Sequence, residues 1–107
     1  MDESQESPAV SATTFFEIIL QSADFTFGGR DEIEDPLDEA LQQAGLGEVT
    51  GGGTGMGRAN IDVEVTDSQR GLALIRQVLQ RLAVAPSTVI QQYSPEEISH
   101  PVYDRNA

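Results

Sequence analysis

Apolar and polar residues alternate with two different periods along this chain. A period of two is strictest in residues 60–65, which predicts a strand with one buried side and one solvent-facing side. Residues 14–21 are almost continuously apolar, as expected of a central strand. Shorter apolar runs over residues 46–50 and 88–93 predict two more strands. We therefore expect a sheet of four strands.

Apolar residues spaced three and four apart predict two helices between these strands. We expect the first helix to begin with Asp35 as its N-cap and Pro36 at the first helical position, and to end at Gly45. The second helix is expected over about residues 67–83, after a capping box that begins at Thr66. Because each helix has one apolar stripe, both should pack against a shared core.

This order of elements divides the chain into three parts. Residues 1–13 are rich in acidic and small polar residues and are interpreted as a disordered leader. Residues 14–93 are predicted to form a single α+β domain. Residues 94–107 are predicted to be a tail that packs on the domain or on a partner.

The predicted order of strand, helix, strand, strand, helix and strand resembles the ferredoxin-like plait. That resemblance implies a four-stranded antiparallel sheet with two helices on one face and with the first and third strands adjacent at its centre. The helices would then cover Ile61, Val63 and Val65. Residues 45–55 are also similar to a stretch of small bacterial proteins, a similarity that implies no activity.

Composition excludes several chemistries. The 107 residues include 18 acidic residues, six arginines, one histidine and neither lysine nor cysteine, for a formal net charge of -12. A catalytic lysine, a catalytic thiol and a disulfide are therefore excluded, and so negative a chain repels nucleic acid. We expect no cofactor. The lack of a long apolar run and the acidic N-terminus favour a cytoplasmic protein that does not enter membranes.

A cluster of glycines suggests a loop that contacts a ligand or partner. Two of these glycines have the spacing of a phosphate-binding loop, but Arg58 and Ala59 follow where lysine and serine or threonine are required. The simpler interpretation is a mobile hairpin connection, and the functional one is a segment that orders over a ligand. This ligand loop would comprise Gly51, Gly52, Gly53, Thr54, Gly55, Met56 and Gly57.

Acidic residues on the predicted strands form a second candidate site. Asp62 and Glu64 should point to the sheet face without helices, where Glu17 joins them in some registers. Such carboxylates bind hard cations or act as acid–base pairs, although a solvated acidic surface is the simpler interpretation. We predict no catalytic residue and no metal site, with Glu17, Asp62, Glu64 and His100 as the weak metal candidates.

The first predicted helix carries a dense acidic run, which we call the acidic patch. Its carboxylates compensate the helix dipole and hold water, or alternatively attract a basic partner. The patch consists of Glu32, Glu34, Asp35, Asp38 and Glu39.

No coherent catalytic set appears in the sequence. The leading hypothesis is a small non-enzymatic binding or regulatory domain that recognises a protein or a small ligand. One alternative is an acidic inhibitor or immunity-type protein that docks on a basic partner. Another is a divalent-metal-assisted enzyme that uses the carboxylates of the sheet face. A homodimer is compatible with each hypothesis.

Overall fold

The computed structural model describes residues 13–94 and 96–103. The leader proposed for residues 1–13 lies outside this part except for Thr13, and so does the end of the tail from residue 104 on. The elements in chain order are β1 (Thr14–Gln21), a short 3-10 helix (Ser22–Asp24), α1 (Asp31–Gln43), β2 (Gly47–Gly55), β3 (Arg58–Val65), α2 (Ser68–Arg81), β4 (Val89–Ser94) and β5 (Ile98–Pro101).

The strands form one sheet in the order β2-β3-β1-β4-β5, and every neighbouring pair is antiparallel. The α+β class is therefore confirmed, and β1 and β3 are neighbours at the centre. The expected number of four strands is wrong, because part of the predicted tail forms β5 beside β4. That strand was missed because its four residues have no apolar alternation.

Both helices contribute to the core on one side of the sheet. Residues of β1 and β3 alternate between buried and more exposed positions, so each strand has one face in the core. The largest fully buried side chains come from all of the longer elements except β2, and one, Val84, lies in the connection after α2. They are Phe16, Ile18, Ile33, Leu37, Leu41, Ile61, Val63, Val65, Ile75, Leu79, Val84 and Ile90.

Helix α1 begins a full turn earlier than the sequence indicates. Arg30, and not Asp35, is its N-cap, and Pro36 lies in the second turn. The Arg30 carbonyl accepts hydrogen bonds from the backbone N–H groups of Ile33 and Glu34 at 3.0 and 2.9 Å. Since Ile33 is completely buried, packing of this extra turn outweighs the hydrogen bond that a proline inside a helix forgoes.

The end of α1 agrees with the sequence. Gly45 has a φ of 68°, in the left-handed region that glycine adopts without steric cost. The next backbone N–H, that of Leu46, donates to the carbonyl of Leu41 at 3.0 Å, as in a Schellman motif. This bond turns the chain directly from α1 into β2.

Helix α2 is capped by Asp67 and not by Thr66. The Asp67 carboxylate accepts a 2.9 Å hydrogen bond from the backbone N–H of Arg70. Beyond the other end of α2, Ala83 has a φ of 60°, an unfavourable value for a residue with a Cβ atom. No helix in the described residues combines the length and the apolar character needed to cross a bilayer.

The glycine cluster is a strand and not a loop. Residues 51–55 belong to β2 and pair with β3, and Met56 and Gly57 alone form the hairpin turn. Their φ values of 56° and 81° are both positive, as a type I′ turn requires. The predicted seven-residue connection is therefore wrong, because pairing with β3 supplies the order that glycine lacks on its own.

Gly52 leaves room for a side chain from α1. A Cβ atom here would lie 2.5 Å from the backbone carbonyl oxygen of Asn60 on β3. It would also lie 3.0 Å from Oε2 of Glu34 and 3.1 Å from Nε of Arg30, which form an ion pair over this strand. Arg30 also donates from Nη1 to the Thr54 hydroxyl at 2.9 Å. The small size of this glycine therefore lets α1 bond across the edge strand.

Side chains of α2 hold the chain after β4 in place. Arg76 donates from Nε to the carbonyl of Pro101 at 2.9 Å, and Gln80 donates to the carbonyl of Val102 at 2.8 Å. Val102 is completely buried. These contacts come from residues more than twenty positions away, so local sequence patterns do not reveal them.

Candidate functional site

The side of the sheet opposite the helices is uncovered within the described residues, and we call it the open face. Strand register defines its members, because alternate residues of each strand point to it, apart from a register shift in β2 between Val49 and Gly51. From β1 to β5 they include Phe15, Glu17, Ile19, Gln21, Glu48, Gly51, Gly53, Gly55, Arg58, Asn60, Asp62, Glu64, Val89, Gln91, Tyr93 and Ser99.

Carboxylates stand opposite one another on this face. Glu17 of β1 is the register partner of Asp62 of β3, and Glu64 of β3 is the register partner of Glu48 of β2. Side chains directly opposite on antiparallel strands are close, and like charges there are destabilising. Arg58 is the one basic residue among the open-face members named above, so the charge of this surface is strongly negative.

Two aromatic rings border the carboxylates. The rings of Phe15 and Tyr93 are 5.9 Å apart between centroids, and 40% of Tyr93 is exposed. The Tyr93 hydroxyl donates to Oε1 of Glu17 at 2.6 Å. This hydrogen bond, followed by burial and by the charges of Glu17, Glu97 and Asp62, raises the pKa of Tyr93 above its usual value of 10.

A cavity of about 460 Å³ opens beside these residues, at the turn end of the β2–β3 hairpin. The Asn60 amide nitrogen donates to Oδ1 of Asp62 at 3.3 Å, which leaves the Asn60 amide oxygen free to accept another hydrogen bond. The cavity is lined by Glu17, Ile19, Gly53, Thr54, Gly55, Met56, Arg58, Asn60 and Tyr93.

Only part of the predicted ligand loop reaches this cavity. Gly53, Thr54, Gly55 and Met56 line it, whereas Gly51, Gly52 and Gly57 do not. Met56 is 97% exposed at the turn. The predicted contact between this segment and a ligand stays a prediction, with a strand hairpin in place of a flexible loop.

The weak metal candidates do not come together. Glu17, Asp62 and Glu64 share the open face, but His100 lies on the helix-covered face, with its ring 6.2 Å from that of Phe16. Over residues 13–94 and 96–103, no three side chains of the ligating types are arranged to hold a metal ion.

The His100 side chain makes a structural contact between two neighbouring strands, β5 and β4. Its Nε2 atom is 3.0 Å from the amide oxygen of Gln92, a buried side chain. Burial, and secondarily the positive charge of Arg76, lower the pKa of His100 below its usual 6.5. Because an amide oxygen only accepts, His100 donates from Nε2 in this pair, and the hydrogen bond helps join β5 to β4.

Most members of the acidic patch make bonds within the domain. Glu34 pairs with Arg30, and Glu32 accepts from the backbone N–H of Gly28 at 3.1 Å. Asp38 accepts from the backbone N–H of Val49 at 2.8 Å and so caps the edge of β2. Glu39 accepts a 3.3 Å hydrogen bond from Gln43, and Asp35 is exposed.

Sequence reasoning missed four residues of the cavity, namely Ile19, Arg58, Asn60 and Tyr93. Ile19, Asn60 and Tyr93 line it together, although 33 residues or more separate each of them from the next along the chain. Alternation in β3 does place Asn60 beside Asp62 on one face, a signal that was available. The closeness of Tyr93 to Glu17 follows only from the pairing of β4 with β1.

Comparisons with known proteins identify no relative, since no family model, no curated protein and no solved structure matches this chain.

Proposed function

We propose that this chain is a non-enzymatic binding domain that recognises a basic protein segment with the open face of its sheet. The observation that carries the proposal is the direct opposition of like charges in the pairs Glu17–Asp62 and Glu64–Glu48. Each pair costs stability in the isolated domain. A cationic partner would remove this repulsion on binding.

The surroundings of these pairs support a protein partner. Phe15, Ile19 and Tyr93 add aromatic and aliphatic surface, all of it partly exposed, beside the carboxylates. Protein interfaces combine such apolar anchors with charged groups that steer the partner and set its orientation. A surface made only of solvated acids would lack those anchors.

We also infer that the fold is a ferredoxin-like plait extended by one strand. The supporting observation is the order β2-β3-β1-β4 of antiparallel strands, with both helices on one side. In this description β5 is an addition at the β4 edge. The plait leaves one sheet face uncovered, which is where we place the binding surface.

Two other hypotheses have weaker support. An inhibitor that docks through the acidic patch would use carboxylates of which four already accept hydrogen bonds inside the domain. A metal-assisted enzyme would need ligands that converge, and His100 faces away from Glu17 and Asp62.

The test measures binding of a synthetic basic peptide by isothermal titration calorimetry at low and at moderate ionic strength. We expect the wild-type protein to bind an extended peptide of alternating arginine and leucine, with affinity falling as salt rises. An open-face variant should bind at least tenfold more weakly. It carries Glu17→Gln, Glu48→Gln, Asp62→Asn and Glu64→Gln.

A control variant removes the same number of charges from the surface of α1. Because both variants have equal net charge, a loss restricted to the open-face variant locates the binding surface. An equal loss in both would reduce the effect to overall charge and overturn the proposal, and a loss in the control alone would favour docking through the acidic patch. The control carries Asp31→Asn, Glu32→Gln, Asp35→Asn and Glu39→Gln.

A further inference from the structure

We propose that the cavity at the hairpin end of the open face accepts one arginine side chain of the basic partner. This inference rests on the proposed function and names the anchor of that interface. The cavity volume of about 460 Å³ lies within the range of side-chain-sized and small-ligand sites. Its lining is mixed in charge and rich in hydrogen-bond acceptors.

The acceptors suit a guanidinium group. Glu17 has one carboxylate oxygen bonded to the Tyr93 hydroxyl and the other without a protein donor among the described residues. Asn60 directs its amide oxygen away from Asp62, because its nitrogen is held by the Asp62 carboxylate. A guanidinium carries five N–H donors in a rigid plane, whereas an ammonium group is a compact charge with three.

The apolar part of the cavity suits the rest of an arginine side chain. Tyr93 contributes an exposed ring, and a guanidinium is attracted to the face of a tyrosine ring. Ile19 provides an aliphatic surface for the methylene stem. Gly53 and Gly55 have no side chains to fill the space above β2, so the partner can approach the strand backbone.

Arg58 gives the cavity a built-in competitor. It lines the same cavity, lies four residues before Asp62 on the same face of β3, and is exposed. A bound guanidinium is attracted by Glu17 and repelled by Arg58. Neutralising these two residues should therefore change arginine binding in opposite directions.

The experiment titrates ¹⁵N-labelled protein with N-acetyl-arginine methylamide and follows backbone amide shifts. We expect saturable shifts at Glu17, Ile19 and residues 53–60. Glu17→Gln should weaken binding at least tenfold, and Arg58→Gln should strengthen it severalfold. N-acetyl-citrulline methylamide, which has the same shape without the charge, should not bind.

Each other outcome overturns the inference. Shifts spread over α1 would show general attraction to negative charge, and binding that neither variant changes would place the arginine outside this cavity. Binding of the citrulline compound with equal affinity would show that the cavity selects shape and not charge. Since Glu17→Gln and Arg58→Gln are expected to act in opposite directions, a shared loss of folding cannot imitate the predicted result.

The basic peptide separates this inference from the proposed function. If the four-residue open-face variant loses the peptide while Glu17→Gln and Arg58→Gln bind it like wild type, the binding domain stands and the arginine site fails. If N-acetyl-arginine methylamide binds and responds to both single variants as expected while the peptide does not bind, the arginine site stands and recognition of a basic protein segment fails.

Discussion

Repulsion between Glu17 and Asp62 can be measured with a double-mutant cycle. The four proteins are wild type, Glu17→Gln, Asp62→Asn and the double variant. The two residues are direct register partners on β1 and β3, so their Cβ atoms are about 5 Å apart. Two like charges at about 5 Å in water repel with about 0.8 kcal/mol.

Salt supplies a second quantitative expectation. At physiological ionic strength the Debye length is about 8 Å, which reduces the repulsion between the two carboxylates to roughly half its low-salt value. We therefore expect a coupling free energy of about 0.8 kcal/mol at low salt and about 0.4 kcal/mol at physiological salt. Its sign should be repulsive under both conditions.

The cycle is needed because each single variant changes more than this pair. Glu17→Gln also replaces the charged acceptor of the Tyr93 hydroxyl, a bond of 2.6 Å. Hydrogen bonds to charged groups contribute about 1.5 to 3 kcal/mol, so this loss can hide the relief of repulsion. The same hydrogen bond is lost when Glu17 is changed in wild type and when it is changed in Asp62→Asn. Its contribution therefore cancels in the coupling free energy.

Urea unfolding of the four proteins gives the coupling free energy from their free energies of unfolding. A matched cycle between Glu17 and Glu39, which is exposed on α1 on the other side of the sheet, should give no coupling. A zero value for Glu17–Asp62 at low salt would refute the reasoning. An attractive value would refute it as well, since two carboxylates attract only when they share a proton or a cation.

Three further predictions concern stability and titration. Ala83→Gly should raise the free energy of unfolding by about 0.5 to 1 kcal/mol, because a left-handed backbone conformation strains alanine. The control Ala44→Gly, at a right-handed C-cap, should lower the free energy of unfolding in the same urea assay. NMR titration should give His100 a pKa below 6.5 in the folded protein. Because the folded pKa is lowered, the contribution of His100 to stability is complete above pH 6.5 and is lost as the pH falls toward the folded pKa. An unchanged free energy of unfolding over that pH range would contradict this prediction. NMR of the ring signals should give Tyr93 a pKa above 10 in the folded protein, and its contribution to stability should be lost as the pH rises through that pKa. Glu17→Gln should bring the pKa of Tyr93 back toward 10. An unchanged pKa in the variant would contradict the assigned cause.

Local patterns determine much of this fold. Alternation in residues 60–65 and the apolar run in residues 14–21 predict β3 and β1, because a half-buried strand needs side chains of opposite character on its two faces. Gly45 predicts the end of α1, since a left-handed C-cap excludes most side chains. These signals depend on residues close together in the chain.

The candidate site was predictable only in part. The sequence places Asp62 and Glu64 on the open face, but it does not reveal that Glu17 opposes Asp62 or that Tyr93 bonds to Glu17. Both facts depend on the register of strands that are distant in the chain. A shift of one residue would turn every side chain of a strand to the other face.

Composition and local periodicity alone determined that this chain is acidic, lacks lysine and cysteine, and builds an α+β core. Tertiary structure decided the rest, because long-range bonds override local preference. Strand β2, in which five of nine residues are glycine, forms because β3 pairs with it and Arg30 packs over Gly52. The short β5 orders because β4 pairs with it while Arg76 bonds its last carbonyl and Gln80 the carbonyl that follows.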